Sequence, residues 1–183
     1  HRNIIVKNNY FETSTTRPIN TEVQSRLTIR NNIVKGSTFG EMVYILATSD
    51  VGVPVPTDTK VYNNTVWKTS TGGFSLVNAT TATGPASGSS GTIIKNNLVY
   101  APSATSPTVA VSSGVHVSTW TESNNSTPAQ MTGTKPWASA SPATYTDYAP
   151  NSYGVNGGAS VPVIKDFFNA TITGTREIGA IQT

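Results

Sequence analysis

Apolar and polar positions along the chain follow a phrase that returns four times: Ile4-Ile-Val-Lys-Asn-Asn-Tyr-Phe11, Leu27-Thr-Ile-Arg-Asn-Asn-Ile-Val34, Thr59-Lys-Val-Tyr-Asn-Asn-Thr-Val66 and Thr92-Ile-Ile-Lys-Asn-Asn-Leu-Val99. The first Asn of each phrase stands at 8, 31, 63 and 96, which gives spacings of 23, 32 and 33 residues. Repetition at such a period marks a solenoid and takes precedence over local assignments. Ile4, Leu27, Thr59 and Thr92 form one column; Val6, Ile29, Val61 and Ile94 form a second; Phe11, Val34, Val66 and Val99 form a third. Ile5, Thr28, Lys60 and Ile93, between the first two columns, vary freely. A period of two predicts a short strand with alternate side chains facing core and solvent. The Asn pair ends that strand, and a second short strand follows. A sharp bend between strands needs a residue that tolerates left-handed backbone, and after Gly that residue is Asn. With the first Asn at the bend, the second points inward. Stacked about 4.8 Å apart, inward amides hydrogen-bond from coil to coil. The pattern therefore predicts an Asn ladder through Asn9, Asn32, Asn64 and Asn97.

Coil one spans 3–25, and coil two runs from Arg26 through the strand Met42–Thr48. Coil three covers 59–90 with Phe74–Thr80, and coil four starts at Thr92 and includes Thr108–Ser112. Val115-His-Val117 reads as the opening of a fifth coil. The Asn124-Asn125 pair lacks the preceding apolar columns and is not counted as a repeat. From 127 to 149, Pro, Ser and Ala surround Trp137, Tyr145 and Tyr148, which reads as an irregular segment packed along the side of the coils. Val161–Ile181 reads as the closing cap. The chain is one domain, with coils over 1–126 and the side-packing segment and cap over 127–183.

These phrases resemble the right-handed parallel β-helix of the pectate-lyase-like superfamily, in which strand, Asn bend and strand recur once per coil. The resemblance covers residues 3–100. Asp166-Phe-Phe-Asn169, Arg176 and Ile178-Gly-Ala180 resemble the Asp-Phe-x-Gly … Arg … Ile-Gly-Ala ending of many bacterial β-helix proteins, with Asn169 where Gly is usual. The expected fold is all-β, a right-handed parallel β-helix of about four to five coils with an irregular C-terminal cap. In the resembled lyases a glycan groove lies on a parallel sheet, with Ca²⁺-binding carboxylates and a catalytic Arg or Lys. Removing the proton beside a uronate carboxylate needs both a cation and a base. Stacking Met42–Thr48, Phe74–Thr80 and Thr108–Ser112 into such a sheet offers Tyr44, with Glu22, Glu41 and Asp50 at strand ends. No carboxylate cluster supplies the about six to eight oxygens of a Ca²⁺ site or the paired acids of a glycosidase. Ca²⁺ is thus implied by the resemblance alone, and no other cofactor is evident. The catalytic residues of a lyase or depolymerase are expected outside this segment.

Composition narrows the function further. Ser and Thr supply 49 of the 183 residues and Asn 16, against 11% charged, a balance that suits stacked strands rather than helices. The net charge of +3 is scattered and forms no Lys/Arg cluster of the kind nucleic acid requires. Without Cys there is no disulfide or thiol chemistry. No apolar stretch approaches the length of a membrane span. Two outward columns carry candidate chemistry: Lys7, Arg30, Tyr62 and Lys95, and beside them Lys35, Trp67 and Tyr100. Aromatic rings stack on sugars while Lys and Arg meet carboxylates, so these residues with Tyr44 are the candidate glycan-binding set. A solvated face with long side chains over apolar stems is the plainer reading. His116 and Trp120 read as structural.

A solenoid end exposes unpaired backbone and apolar core, so an N-terminal continuation or a partner chain is expected over the first coil. The functional expectation is an extracellular module that binds an acidic polysaccharide. The alternative is a virion structural protein: spike, fibre or capsid decoration.

Overall fold

The computed structural model describes residues 3–13, 16–22, 26–47, 57–81, 91–113, 120–139, 141–151, 158, 160–161, 165–173 and 178–182. Coil one contains β1 (Ile5–Lys7), β2 (Tyr10–Thr13) and β3 (Ile19–Glu22). Coil two contains β4 (Thr28–Arg30), β5 (Ile33–Gly36) and β6 (Glu41–Ala47). Coil three contains β7 (Lys60–Tyr62), β8 (Thr65–Lys68) and β9 (Gly72–Thr81). Coil four contains β10 (Ile93–Lys95), β11 (Leu98–Tyr100) and β12 (Ala104–Ser113). A further strand, β13 (Thr121–Ser123), precedes the short helix α1 (Pro128–Thr132). Strands of equal rank stack into three sheets, ordered β1-β4-β7-β10-β13, β2-β5-β8-β11 and β3-β6-β9-β12. Among the described residues the ten strand pairings are all parallel. This is a right-handed parallel β-helix, the hand that parallel crossovers favour.

The sequence columns become vertical neighbours. Val6, Ile29, Val61 and Ile94 pair in one register, and Phe11, Val34, Val66 and Val99 in another. With Met42, Ile45, Leu76 and Ala79 they fill one continuous core. The Asn pairs divide their labour as the backbone demands. Asn8, Asn31, Asn63 and Asn96 take the left-handed bend, with φ of 57°, 54°, 50° and 56°. Their successors form the ladder. Asn9 Nδ2 donates to Asn32 Oδ1 (3.0 Å), Asn32 to Asn64 (3.0 Å), and Asn64 to Asn97 (2.9 Å). The second amide proton of Asn32, Asn64 and Asn97 reaches a carbonyl one coil back, on Val6, Ile29 and Val61, while that of Asn9 reaches Lys7 O in its own coil. The side-chain oxygens of Asn32, Asn64 and Asn97 also accept the backbone N–H of the ladder Asn one coil earlier. Satisfying the ladder amides in this way avoids the cost of about 1–3 kcal/mol that an orphaned buried polar group carries.

The ladder has a further rung, although Asn124-Asn125 lacks the apolar columns of the other repeats. Asn124 takes the bend at φ 53°, and Asn97 Nδ2 donates to Asn125 Oδ1 at 2.8 Å. β13 pairs in register with β10 although its residues are polar. A terminal coil can be polar, because α1 seals what lies beneath it: Met131 is buried in the core, and Ala101 N donates to Met131 O. Thr127 and Gln130 form a capping box that starts α1, with Pro128 in its first turn. The C-terminal cap is therefore made in two parts, α1 over the end and the tail along the flank. Val115-His-Val117, along with His1, Asp50 and Arg176, lies outside the described residues.

Candidate functional site

The outer face of the first sheet holds two columns, Ile5/Thr28/Lys60/Ile93 and Lys7/Arg30/Tyr62/Lys95. Before them lies a second left-handed bend, five residues ahead of the Asn bend in coils one to four. Asn3, Arg26, Asp58 and Gly91 occupy it at φ of 60°, 57°, 55° and 72°. Arg26 N donates to Thr57 O at 2.8 Å, which sets Arg26 beside Asp58. At Gly91 a Cβ would come within 2.6 Å of Asp58 Oδ1, so the absent side chain leaves room for that carboxylate. Between bend and sheet lies a groove of about 360 Å³ lined by Asn3, Ile5, Arg26, Thr28, Asp58 and Lys60. Five of the twelve Lys and Arg residues therefore share this face: Lys7, Arg26, Arg30, Lys60 and Lys95.

Tyr62, expected as an outward platform in this column, is 3% exposed. Val161 and Ile172 pack on it and on Ile93, and burial raises its phenol pKa. At coil one, by contrast, Ile5 is 57% exposed.

The second expected column is placed differently. Lys35, Trp67 and Tyr100 do stack in register, with Glu12 at the near end. Trp67 and Tyr100, however, meet the fully buried Trp137 edge-on at centroid distances of 6.1 and 5.6 Å. Tyr148, Ile178, Ala180 and Ile181 complete that cover. The rings are packing residues over most of their area. Lys35 pairs with Glu12 at 2.7 Å, and this hydrogen bond holds its ammonium pKa above the ordinary value.

The tail is fastened at the Asn corner. Asn8 Nδ2 donates to Phe167 O (2.9 Å) and Asn31 Nδ2 to Lys165 O (2.6 Å). Gly179 N donates to Asn96 O (2.7 Å), and Ala180 N to Thr65 Oγ1 (2.9 Å). The first Asn of each pair thus makes the bend and, at coils one and two, holds the tail. Asn169 adopts φ 67°, the left-handed turn its Gly-like place in the tail requires.

On the third sheet Tyr44 lies under Arg17, whose guanidinium sits 3.6 Å from the ring centroid and pairs with Glu41 at 2.8 Å. Glu22 ends β3. Among the described residues no three acidic or His side chains gather where they would hold a metal ion, so the Ca²⁺ site implied by the family resemblance has no fitting donor set here. No described helix is long and apolar enough to cross a membrane.

Arg26, Asp58 and Lys60 were missed as candidates because an outward Lys and two residues outside the strands carry no pattern of their own. The one available signal was their constant offset from the Asn pair. Comparison of the chain with protein-family models, curated proteins and solved structures finds no match.

Proposed function

We propose that the protein is an extracellular β-helix module that binds an acidic polysaccharide along the outer face of its first sheet. One observation carries the reading: Lys7, Arg26, Arg30, Lys60 and Lys95 share a face on which Asp58 is the one acid among the described residues of its columns. Strand stacking at about 4.8 Å spaces such cations as a regular series, to which a polymer with repeating anionic groups is complementary. Tyr62, Trp67 and Tyr100 are engaged in packing and form no part of this face's binding set. A relationship to the pectate-lyase-like superfamily belongs to this proposal and rests on the Asn ladder and the Asp166–Asn169 tail. The fold alone fixes no activity.

The test is affinity electrophoresis in gels cast with alginate, pectate, chondroitin sulfate or neutral dextran. Retardation by an anionic polymer but not dextran, weakened by salt and by the Arg30→Glu/Lys95→Glu pair, is expected. Equal mobility in all four gels overturns the proposal. It would favour the second reading, a virion spike or fibre coil. That reading draws on the continuous ladder, which ties the stack together without any ligand.

A further inference from the structure

We infer that the groove at the first bend is a discrete subsite for one anionic sugar residue, carrying a carboxylate or sulfate. This rests on the proposed binding face but names a place and a chemistry within it. The groove spans coils one to three and holds Arg26, Asp58 and Lys60 side by side. Among the described residues the ion pairs are Arg17–Glu41 and Lys35–Glu12, and these three groups take part in neither. Two cations and one anion that are not spent on each other present a mixed set of donors and acceptors. Arg26 and Lys60 offer the donors that an anionic substituent requires. Asp58 offers acceptors for sugar hydroxyls, a contact that a plain polyanion lacks. Thr28 and Asn3 add short polar groups to the lining, and the exposed Ile5 supplies an apolar surface for the ring's C–H face. The volume of about 360 Å³ lies at the small end of ligand sites, which run about 300–1,000 Å³, and suits a short sugar unit rather than a long chain.

The left-handed backbone at this bend guides the choice of variants. Arg26→Asn keeps a residue that tolerates φ near 57° while removing the guanidinium. Asp58→Asn keeps shape and backbone while removing the charge. Backbone amide NMR titrations would use a hexuronate disaccharide, a sulfated disaccharide and a neutral disaccharide. Far-UV circular dichroism would confirm that each variant is folded.

The expected result is a set of shifts centred on residues 26, 28, 58 and 60 with at least one anionic sugar and none with the neutral one. Arg26→Asn and Asp58→Asn should each weaken that binding by about tenfold or more. Which anionic disaccharide binds decides between carboxylate and sulfate. If Asp58→Asn instead tightens binding, the carboxylate merely repels the ligand and the subsite is overturned. If polymer is retarded in gels while both variants bind the disaccharide like the unmodified protein, the subsite fails and the binding face stands. If gels show no retardation, shifts at the groove would still establish the subsite, and their absence would overturn it.

Discussion

The outer faces of the first and second sheets begin from the same geometry and end in opposite states. Both carry columns that alternate with the core columns, so strand periodicity alone places both in solvent. The second sheet bears Tyr10, Ile33, Thr65 and Leu98 in one outward column and Lys35, Trp67 and Tyr100 in the other. Trp137, Tyr148 and the tail Ile178–Ile181 bury that surface as a second core. The first sheet bears Lys7, Arg30, Lys60 and Lys95, and among the described residues its apolar cover is Val161 and Ile172 over Tyr62 and Ile93. The difference teaches that an outward position in a solenoid is an offer of surface, which an apolar column turns into a docking site for the chain's own tail. A cationic column stays open, because burying an unpaired charge is costly.

The sharpest way to break this comparison is to uncover the second sheet. Trp137 touches Trp67, Tyr100 and Tyr148 edge-on, with centroids 5.0–6.1 Å away, and is fully buried. Trp137→Ala should cost about 3–5 kcal/mol in urea unfolding. Arg30→Ala on the open face should stay within about 0.5 kcal/mol. If both variants unfold at the same urea concentration, the two faces are not energetically distinct.

A smaller effect is expected where the tail meets the Asn corner. Gly179 sits at φ 107° and packs so closely that a Cβ would lie 2.9 Å from Thr65 Oγ1 and 3.1 Å from Leu98 Cβ. Gly179→Ala adds backbone strain and a clash to a site that also anchors Asn96 O, and should cost about 1–3 kcal/mol. Amide hydrogen exchange should then rise at Gly179 and Ala180 before it rises at Asn64 or Asn97. Uniform acceleration through the ladder would show that tail and coils open together.

How much of this was legible follows from where the information is repeated. The Asn ladder and its three apolar columns were legible because four copies in register over-determine one geometry. The rung at Asn125 was not, because Thr121-Glu-Ser123 carries none of the apolar signal. Its spacing of 28 residues from Asn96 did fall within the range of the others. Trp67 and Tyr100 have the composition of ligand platforms, but Tyr10, Ile33 and Leu98, apolar at outward positions, are the signal of a covered face. The bend at Asn3, Arg26, Asp58 and Gly91 was hidden because four different residue types fill it: Asn, Asp and Gly each favour the left-handed region, but Arg26 does not and breaks the pattern. α1 carries its signal in Thr127-Pro-Ala-Gln130, a capping box that the surrounding Pro- and Ser-rich stretch masks.

The smallest expected effect separates the faces by their response to protons. Tyr148 is fully buried in the covered face, and burial pushes its phenol pKa well above the ordinary value. Its hydroxyl has no hydrogen-bond partner among the described residues. Below about pH 10 the phenol is neutral in both folded and unfolded chains, so it contributes no pH dependence there. Above that point the unfolded chain releases the proton and the folded chain retains it. Stability then falls with rising pH, by up to about 1.4 kcal/mol per pH unit for this group. Tyr148→Phe should match or exceed the unmodified protein by up to about 1 kcal/mol at pH 7, since it removes an unpaired polar atom. It should also lose less stability between pH 9 and pH 11. Tyr62, whose pKa burial likewise raises, keeps part of the alkaline loss in that variant. Burial lowers the pKa of Lys68, and below the ordinary lysine range that shift makes stability rise with pH. Urea midpoints of both proteins across that range measure the difference, and identical alkaline slopes would mean that water reaches Tyr148 and that the second face is open like the first.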